Sequence, residues 1–231
     1  MTENQGAWAV EASGLGRRYG RRWALAEVSL SVRRAARLLV TGRNGSGKST
    51  LLRVLATAAR ADRGSARVAG YDIRAERTEV RRRIALLDHH SFLYEALSAR
   101  ENLKVAAGFL GPGAEARVPD LLGRVGLAGR ADDPVSSFSA GMRKRLALAR
   151  ALLQPAEVYL LDEPYGELDP PGFRLLEAAL DELTARGATV LLASHLLERG
   201  RERCDEAIVL EEGRLAWQGP AAELREPGAA P

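Results

Sequence analysis

One stretch constrains the fold of this chain more than any other: Thr41-Gly42-Arg43-Asn44-Gly45-Ser46-Gly47-Lys48-Ser49-Thr50. An apolar run, residues 38–40, precedes it and a second apolar run begins at Leu51, so the pattern predicts a strand, a glycine-rich turn and a helix. Glycines in the spacing G-x-x-x-x-G-K-S allow successive backbone N–H groups to converge on a polyphosphate at the helix N-terminus. Residues 42–50 are therefore the predicted phosphate-binding loop.

Four side chains are expected to act on the nucleotide. Lys48 is expected to reach the β- and γ-phosphates of ATP, and the Ser49 hydroxyl to bind Mg²⁺. A second apolar run, residues 158–161, ends at Asp162 and Glu163. Such a run is typical of a central parallel strand, and open α/β sheets bind ligands at the carboxyl ends of their strands. We expect Asp162 to hold Mg²⁺ through water, and Glu163 to orient and deprotonate an attacking water.

Two further residues are candidates because of where they fall in the pattern. The apolar run 188–193 predicts another core strand, and it ends just before His195. A histidine at the sheet edge that carries the phosphate loop is expected to contact the γ-phosphate. Tyr19 lies in a basic stretch, residues 17–20, which is predicted to be a turn. Its ring is a candidate platform for a stacked nucleotide base, or else packs on its own loop.

The remaining pattern predicts an α/β protein with a P-loop NTPase core and a mainly parallel sheet. Residues 8–11 and 24–32 read as strands, and alternation in the second indicates an N-terminal antiparallel β subdomain. From residue 95 the apolar spacing becomes helical, which predicts an inserted α-helical subdomain. The predicted division of the single domain 1–231 is a core of 1–94 and 152–231 and a helical lobe of 95–151.

Charge and hydropathy narrow the range of partners. The net charge of +4 comes mostly from short arginine clusters. Since none of these short clusters has aromatic residues interleaved in an RNA-binding pattern, we interpret the clusters as solvated faces and expect no direct nucleic-acid partner. The polar N-terminus does not resemble a signal peptide, and no apolar run approaches the roughly 20 residues of a membrane span. If a membrane is involved, another polypeptide is expected to cross it.

The order of these motifs resembles that of the ATP-binding subunits of ABC transporters, over nearly the whole chain. The matching segments are an aromatic turn at Tyr19, Walker A at 42–50, the signature Phe138-Ser139-Ala140-Gly141-Met142, Walker B with its catalytic glutamate at 159–163, the D-loop Gly166-Glu167-Leu168-Asp169 and the switch histidine His195.

The resemblance implies an ATP-dependent homodimer whose two copies face head to tail. Each ATP would lie between Walker A of one copy and Ser139 with Gly141 of the other, and Asp169 joins the implied ATP-binding residues. Closure on ATP and opening after hydrolysis would be a population shift. The implied partners are integral membrane permease subunits, which place the chain at the cytoplasmic face of the cell membrane.

The sequence departs from the usual family pattern at three places. Ala140 and Met142 stand where the signature usually has a glycine and a glutamine. Counting back without gaps from the helix start near Ser98, the usual Q-loop glutamine falls on His89, or on His90 if the register slips by one. An imidazole there can hydrogen-bond or bind a metal, so His89 is a candidate catalytic and metal-binding residue. The D-loop has Glu167 where a small residue is common.

These departures make the chain resemble the heme-exporter ATPase of cytochrome c maturation, and this resemblance implies that ATP hydrolysis powers heme export or heme release. The segments that carry this resemblance are His89 with residues 91–95, a signature of the type S-x-G-M-x-x-R-L, and Leu197-Glu198-Arg199-Gly200. The nearest alternative is the ATPase of another exporter, moving drugs, lipids or polysaccharide. A non-transport ABC ATPase acting on nucleic acid is a further alternative, although the chain lacks long heptad arms, zinc cysteines and a second cassette. A catalytically silent binding module is disfavoured by the presence of all the candidate catalytic side chains.

Overall fold

The computed structural model describes residues 7–88 and 92–225. The strands are β1 (Trp8–Tyr19), β2 (Arg22–Arg33), β3 (Arg37–Thr41), β4 (Arg63–Val68), β5 (Tyr71–Asp72), β6 (Ile84–Leu87), β7 (Val158–Asp162), β8 (Thr189–Ala193), β9 (Glu206–Glu211) and β10 (Arg214–Pro220). The α-helices are α1 (Lys48–Leu55), α2 (Arg77–Arg83), α3 (Ala99–Gly108), α4 (Val118–Arg124), α5 (Ala140–Leu153), α6 (Pro170–Ala185) and α7 (Leu197–Arg203).

The core sheet has six strands in the order β10-β9-β3-β8-β7-β6. Every neighbouring pair is parallel except β9 with β10, which form an antiparallel hairpin at one edge. Strands β7 and β8 are buried along their whole length, as expected for parallel strands covered on both faces. Because the strands run in the same direction, β3, β7 and β8 end at the same edge of the sheet. The predicted fold class is confirmed.

The second sheet is antiparallel, in the order β2-β1-β4-β5. Strand β1 continues to Tyr19 and the turn consists of Gly20 and Arg21, so the turn predicted at residues 17–20 begins too early. Tyr19 pairs with Arg22 in the hairpin with β2. The register of β1 shifts on both sides of Leu15, and Gly14 has a φ of 58°. A bulge of this kind allows a strand to continue through a glycine-containing stretch that the local sequence pattern would assign as the end of the strand.

The chain divides into two compact units. The first contains residues 7–88, 156–163 and 183–225, and the second contains residues 92–155 and 164–182. In the second unit, Ser98 begins α3 with a capping box, because its hydroxyl accepts from the Glu101 N–H while the Glu101 carboxylate accepts from the Ser98 N–H at 2.8 Å. Arg124 of α4 pairs with Glu182 of α6, so most of α6 belongs with this unit.

The apolar side of α1 packs into the core of the first unit, where Leu51, Leu52 and Leu55 are fully buried. This burial fixes the position of the helix start at Lys48.

Within residues 7–88 and 92–225, no helix has both the length and the apolar character to cross a bilayer.

Candidate functional site

The loop between β3 and α1 has the geometry of an anion site. Gly47, the residue before α1, has a φ of 112°, and no side chain caps the helix, so the first N–H groups of α1 are available to a ligand. Gly42 has a φ of 137°, and a Cβ there would lie 2.1 Å from the carbonyl oxygen of Leu210. Only glycine fits a left-handed position so close to another backbone segment.

Lys48 is held inside this loop. Its Nζ donates to the carbonyl oxygen of Gly42 at 2.8 Å and to that of Arg43 at 3.4 Å, and the residue is buried. The Ser46 hydroxyl is also buried and has no hydrogen-bond partner within the described residues. A buried cation and an unused donor point to an anionic ligand, because such groups are otherwise costly to bury.

Asp162, the last residue of β7, is a buried carboxylate with open coordination. Its exposure is 2%, and neither of its oxygens has a hydrogen-bond partner among the residues that the structure describes. The pKa of Asp162 is raised above its ordinary value, because burial disfavours the charged carboxylate more than the nearby Ser49 hydroxyl favours it. A cation bound at the two free oxygens would favour the ionised form.

The core sheet brings Glu163 and His195 together. Glu163 Oε2 lies 2.9 Å from His195 Nδ1. The Glu163 N–H donates to the carbonyl of Ala193, the last residue of β8, at 2.9 Å, and the φ of Glu163 is 45°. A left-handed glutamate is strained, and such strain is concentrated at functional positions. The carboxylate can accept a proton from a water, and the imidazole orients the carboxylate.

Tyr19 lies at the end of β1, next to the turn of the β1–β2 hairpin, and the residue is 48% exposed. The Arg17 guanidinium lies 4.5 Å from the ring centroid. Arg22, the hairpin partner of Tyr19, donates to the carbonyl of Gly45 in the phosphate loop at 3.4 Å. The hairpin therefore ties the aromatic ring to the phosphate loop, and Arg22 is a site residue that the sequence analysis missed.

The signature and D-loop residues lie in the second unit. Ser139 caps α5, since its hydroxyl accepts from the Met142 N–H at 3.2 Å. A Cβ on Gly141 would lie 2.8 Å from the carbonyl oxygen of Glu167, whose φ is 66°. Asp169 Oδ1 accepts from the Gly172 N–H at 2.9 Å, as a helix cap does. His89 and His90 lie outside the described residues.

The profile of the ABC transporter family matches residues 25–166. The chain belongs to the ABC transporter family. It is 40% identical, over 94% of this chain and 70% of that protein, to daunorubicin resistance ATP-binding protein DrrA3 of Streptomyces coeruleorubidus. It is 35% identical to Nod factor export ATP-binding protein I of Ralstonia nicotianae, over 93% of this chain and 68% of that protein. A solved ATP-binding subunit of an ABC transporter superposes with a TM-score of 0.85 at 30% identity, covering 92% of this chain and 90% of that one.

As an ATP-binding subunit of the ABC transporter family, the chain binds ATP with Mg²⁺ and hydrolyses ATP. The geometry fits both ligands. The uncapped start of α1 with Lys48 suits a polyphosphate, and the unpartnered oxygens of Asp162 suit Mg²⁺. Magnesium needs few protein ligands when substrate phosphates and water supply the rest.

The site of this ABC ATPase also contains an ion pair that the sequence analysis did not find. Asp88 follows β6 as Asp162 ends β7, and its carboxylate binds Arg53 of α1. Asp88 could have been identified from the sequence as a carboxylate at the end of an apolar strand, which is the reasoning that identified Asp162. The partner could not be found from the sequence, since Arg53 lies 35 residues earlier.

Replacing Gly141 with alanine is expected to lower kcat for ATP about 10- to 100-fold, because the methyl group would displace the D-loop carbonyl of Glu167 and shift the signature helix. Steady-state ATPase kinetics on folded protein measure the loss. The matched control is Gly123→Ala in α4, where nothing lies within 4 Å of the new Cβ, and it should retain parental kinetics. Parental kcat in Gly141→Ala would show that this close approach has no catalytic role.

Proposed function

We propose that this chain is the ATP-hydrolysing subunit of an ABC exporter and acts as an ATP-dependent homodimer. It binds integral membrane permease subunits at the cytoplasmic face of the cell membrane. The observation that carries the export assignment is the similarity, along nearly the whole chain, to ATP-binding proteins named for drug resistance and for Nod factor export. These relatives favour the export of a drug or of a molecule similar to a Nod factor.

In the proposed reaction, the start of α1 and Lys48 bind the phosphates. Glu163 accepts a proton from the water that attacks the γ-phosphorus, and ADP leaves as the bond from that phosphorus to the β–γ bridging oxygen breaks. His195 orients the Glu163 carboxylate. Ser49 and Asp162 would hold Mg²⁺, which when bound would neutralise charge on the phosphate oxygens. Ser139 and Gly141 of the second copy bind the γ-phosphate from the other side. Tyr19 stacks on the nucleotide base, and Asp169 of the D-loop is a further ATP-binding residue.

Heme is the second candidate cargo, because short motifs resemble the heme-exporter ATPase of cytochrome c maturation. Within these motifs His89 is the proposed residue at the Q-loop position, next to Mg²⁺ and the permease. Gly200, another motif residue, has a packing reason of its own: a Cβ there would lie 2.5 Å from Leu39 Cδ2. Gly200 therefore carries no information about cargo, and the heme candidate depends on the His89 segment and the signature.

Gly200→Ala is expected to destabilise the fold by about 1–3 kcal/mol, because the new methyl group overpacks α7 against the fully buried Leu39. Denaturant unfolding of the purified protein measures the change. In a Leu39→Ala background the same substitution should cost much less, since contacting sites are not additive. An equal cost in both backgrounds would rule out this contact as the cause.

The test of the proposed function is affinity purification of tagged Glu163→Gln from its native cell, with membranes solubilised in ATP and Mg²⁺. Co-purification of a permease without heme is the result expected for the drug or lipid exporter. Small integral proteins carrying heme would select the second candidate. Recovery of soluble proteins or nucleic acid alone would overturn the transporter assignment.

A further inference from the structure

Two carboxylates lie side by side at the edge of the core sheet. Strands β6 and β7 are parallel neighbours, with Leu87 in register with Leu161. The next residues are therefore Asp88 on one strand and Asp162 on the other, and adjacent strands lie about 4.8 Å apart. The Asp88 side chain is only 4% exposed. The proposed Mg²⁺ ligand thus has a second buried acid as its neighbour.

The two acids differ in what occupies them. Asp88 is bound in bidentate fashion by Arg53, with Nε to Oδ2 at 2.9 Å and a terminal guanidinium nitrogen to Oδ1 at 2.8 Å. Asp162 has no hydrogen-bond partner among the described residues, although it lies near enough to Arg53 to interact with it electrostatically. Both oxygens of Asp88 therefore accept hydrogen bonds from a guanidinium, whereas both oxygens of Asp162 are available to a cation.

Arg53 belongs to the same short helix whose first residue is Lys48. The apolar residues of α1 are fully buried, so the helix fixes the arginine relative to the phosphate loop. A planar guanidinium with two parallel bonds to one carboxylate has a defined geometry, which a lysine would not give.

We propose that the Arg53–Asp88 ion pair is a positioning device that sets the Mg²⁺ affinity of the nucleotide site. Arg53 keeps the Asp88 carboxylate out of metal coordination, and Asp88 keeps the Arg53 guanidinium off Asp162. The inference rests on the proposed role of Asp162 as a Mg²⁺ ligand and adds two residues that do not touch the phosphates.

Removing the charge of Arg53 and removing the charge of Asp88 are expected to change the Mg²⁺ affinity in opposite directions. Arg53→Met leaves two uncompensated carboxylates beside the metal, which attracts Mg²⁺ more strongly. Asp88→Asn releases the guanidinium, whose remaining carboxylate neighbour is Asp162, and the guanidinium then competes with Mg²⁺. A pair that only stabilised the fold would move both variants in the same direction.

The measurement is the dissociation constant of a non-hydrolysable fluorescent ATP analogue in EDTA divided by its dissociation constant in Mg²⁺, because this ratio isolates the contribution of the metal. We expect the ratio to rise about tenfold in Arg53→Met and to fall about tenfold in Asp88→Asn, as charges near 5 Å apart imply. Arg53→Met/Asp88→Leu, which removes both charges and keeps apolar volume, should stay within about threefold of the parent. It also serves if a single variant fails to fold, because an unpaired buried charge is strongly destabilising.

Two outcomes separate this inference from the proposed function. Asp162→Asn should reduce the ratio towards one, and an unchanged ratio would remove Asp162 from the metal site. If Asp162→Asn behaves as expected while Arg53→Met and Asp88→Asn shift the ratio in the same direction, or not at all, the positioning role is overturned and the metal site stands.

Discussion

Glu163→Gln is expected to lower the rate of ATP hydrolysis by about 10²- to 10⁴-fold, the usual range for loss of a general base. The amide keeps the shape of the side chain and can still hydrogen-bond His195, but it cannot accept a proton from water at neutral pH. ATP affinity should change little, because we expect the loop before α1, and not Glu163, to bind the phosphates. Single-turnover hydrolysis and equilibrium ATP binding, measured on the same preparation, separate the two effects.

The matched control is Glu157→Gln. Glu157 immediately precedes β7, at the opposite end of the strand from Glu163, and it forms exposed ion pairs with Arg34 and Arg83. Exposed pairs contribute little, so this variant should hydrolyse ATP at nearly the parental rate. Parental hydrolysis in Glu163→Gln would mean that another group takes the proton.

Lys48→Met is expected to weaken ATP binding by about 10²- to 10⁴-fold, which corresponds to the loss of two charge-assisted hydrogen bonds to phosphate. Methionine keeps the apolar stem buried and removes only the ammonium group. Titration with a fluorescent ATP analogue measures the affinity.

The control for this variant is Lys104→Met in α3, which removes an exposed lysine paired with Glu115. It should leave ATP affinity unchanged. Because Lys48 also bonds to the carbonyl of Gly42, thermal unfolding without nucleotide must accompany the titration. An affinity within a few fold of the parent, in a folded Lys48→Met protein, would exclude contact between Lys48 and the phosphates.

Local patterns predicted the features that arise from adjacent residues. The strand, loop and helix around Lys48 and the buried strand ending at Asp162 follow from short-range apolar spacing and turn chemistry. The predicted turn at residues 17–20 began too early, because a bulge near Gly14 lets β1 continue to Tyr19.

Long-range features were not predictable in this way. Arg53 pairs with Asp88, and Gly42 lies against the carbonyl of Leu210. The residues in each contact are far apart in the sequence, so no local pattern could predict that they meet. The left-handed backbone of Glu163 is also unexpected, since propensity disfavours it and the surrounding sheet imposes it. Each of these features lies at the edge of the core sheet that carries the phosphate loop, where tertiary structure decides the local conformation.

The order of the core sheet has a practical consequence for the boundaries of this protein. The stretch that matches the family profile, residues 25–166, contains β3 but neither of the strands that flank it, β8 and β9. A fragment cut to those limits would expose both edges of the strand that leads into the phosphate loop, and exposed edges promote aggregation. The segment most recognisable in sequence is therefore not an autonomous folding unit, and expression of a working nucleotide site needs the chain at least through the β9–β10 hairpin.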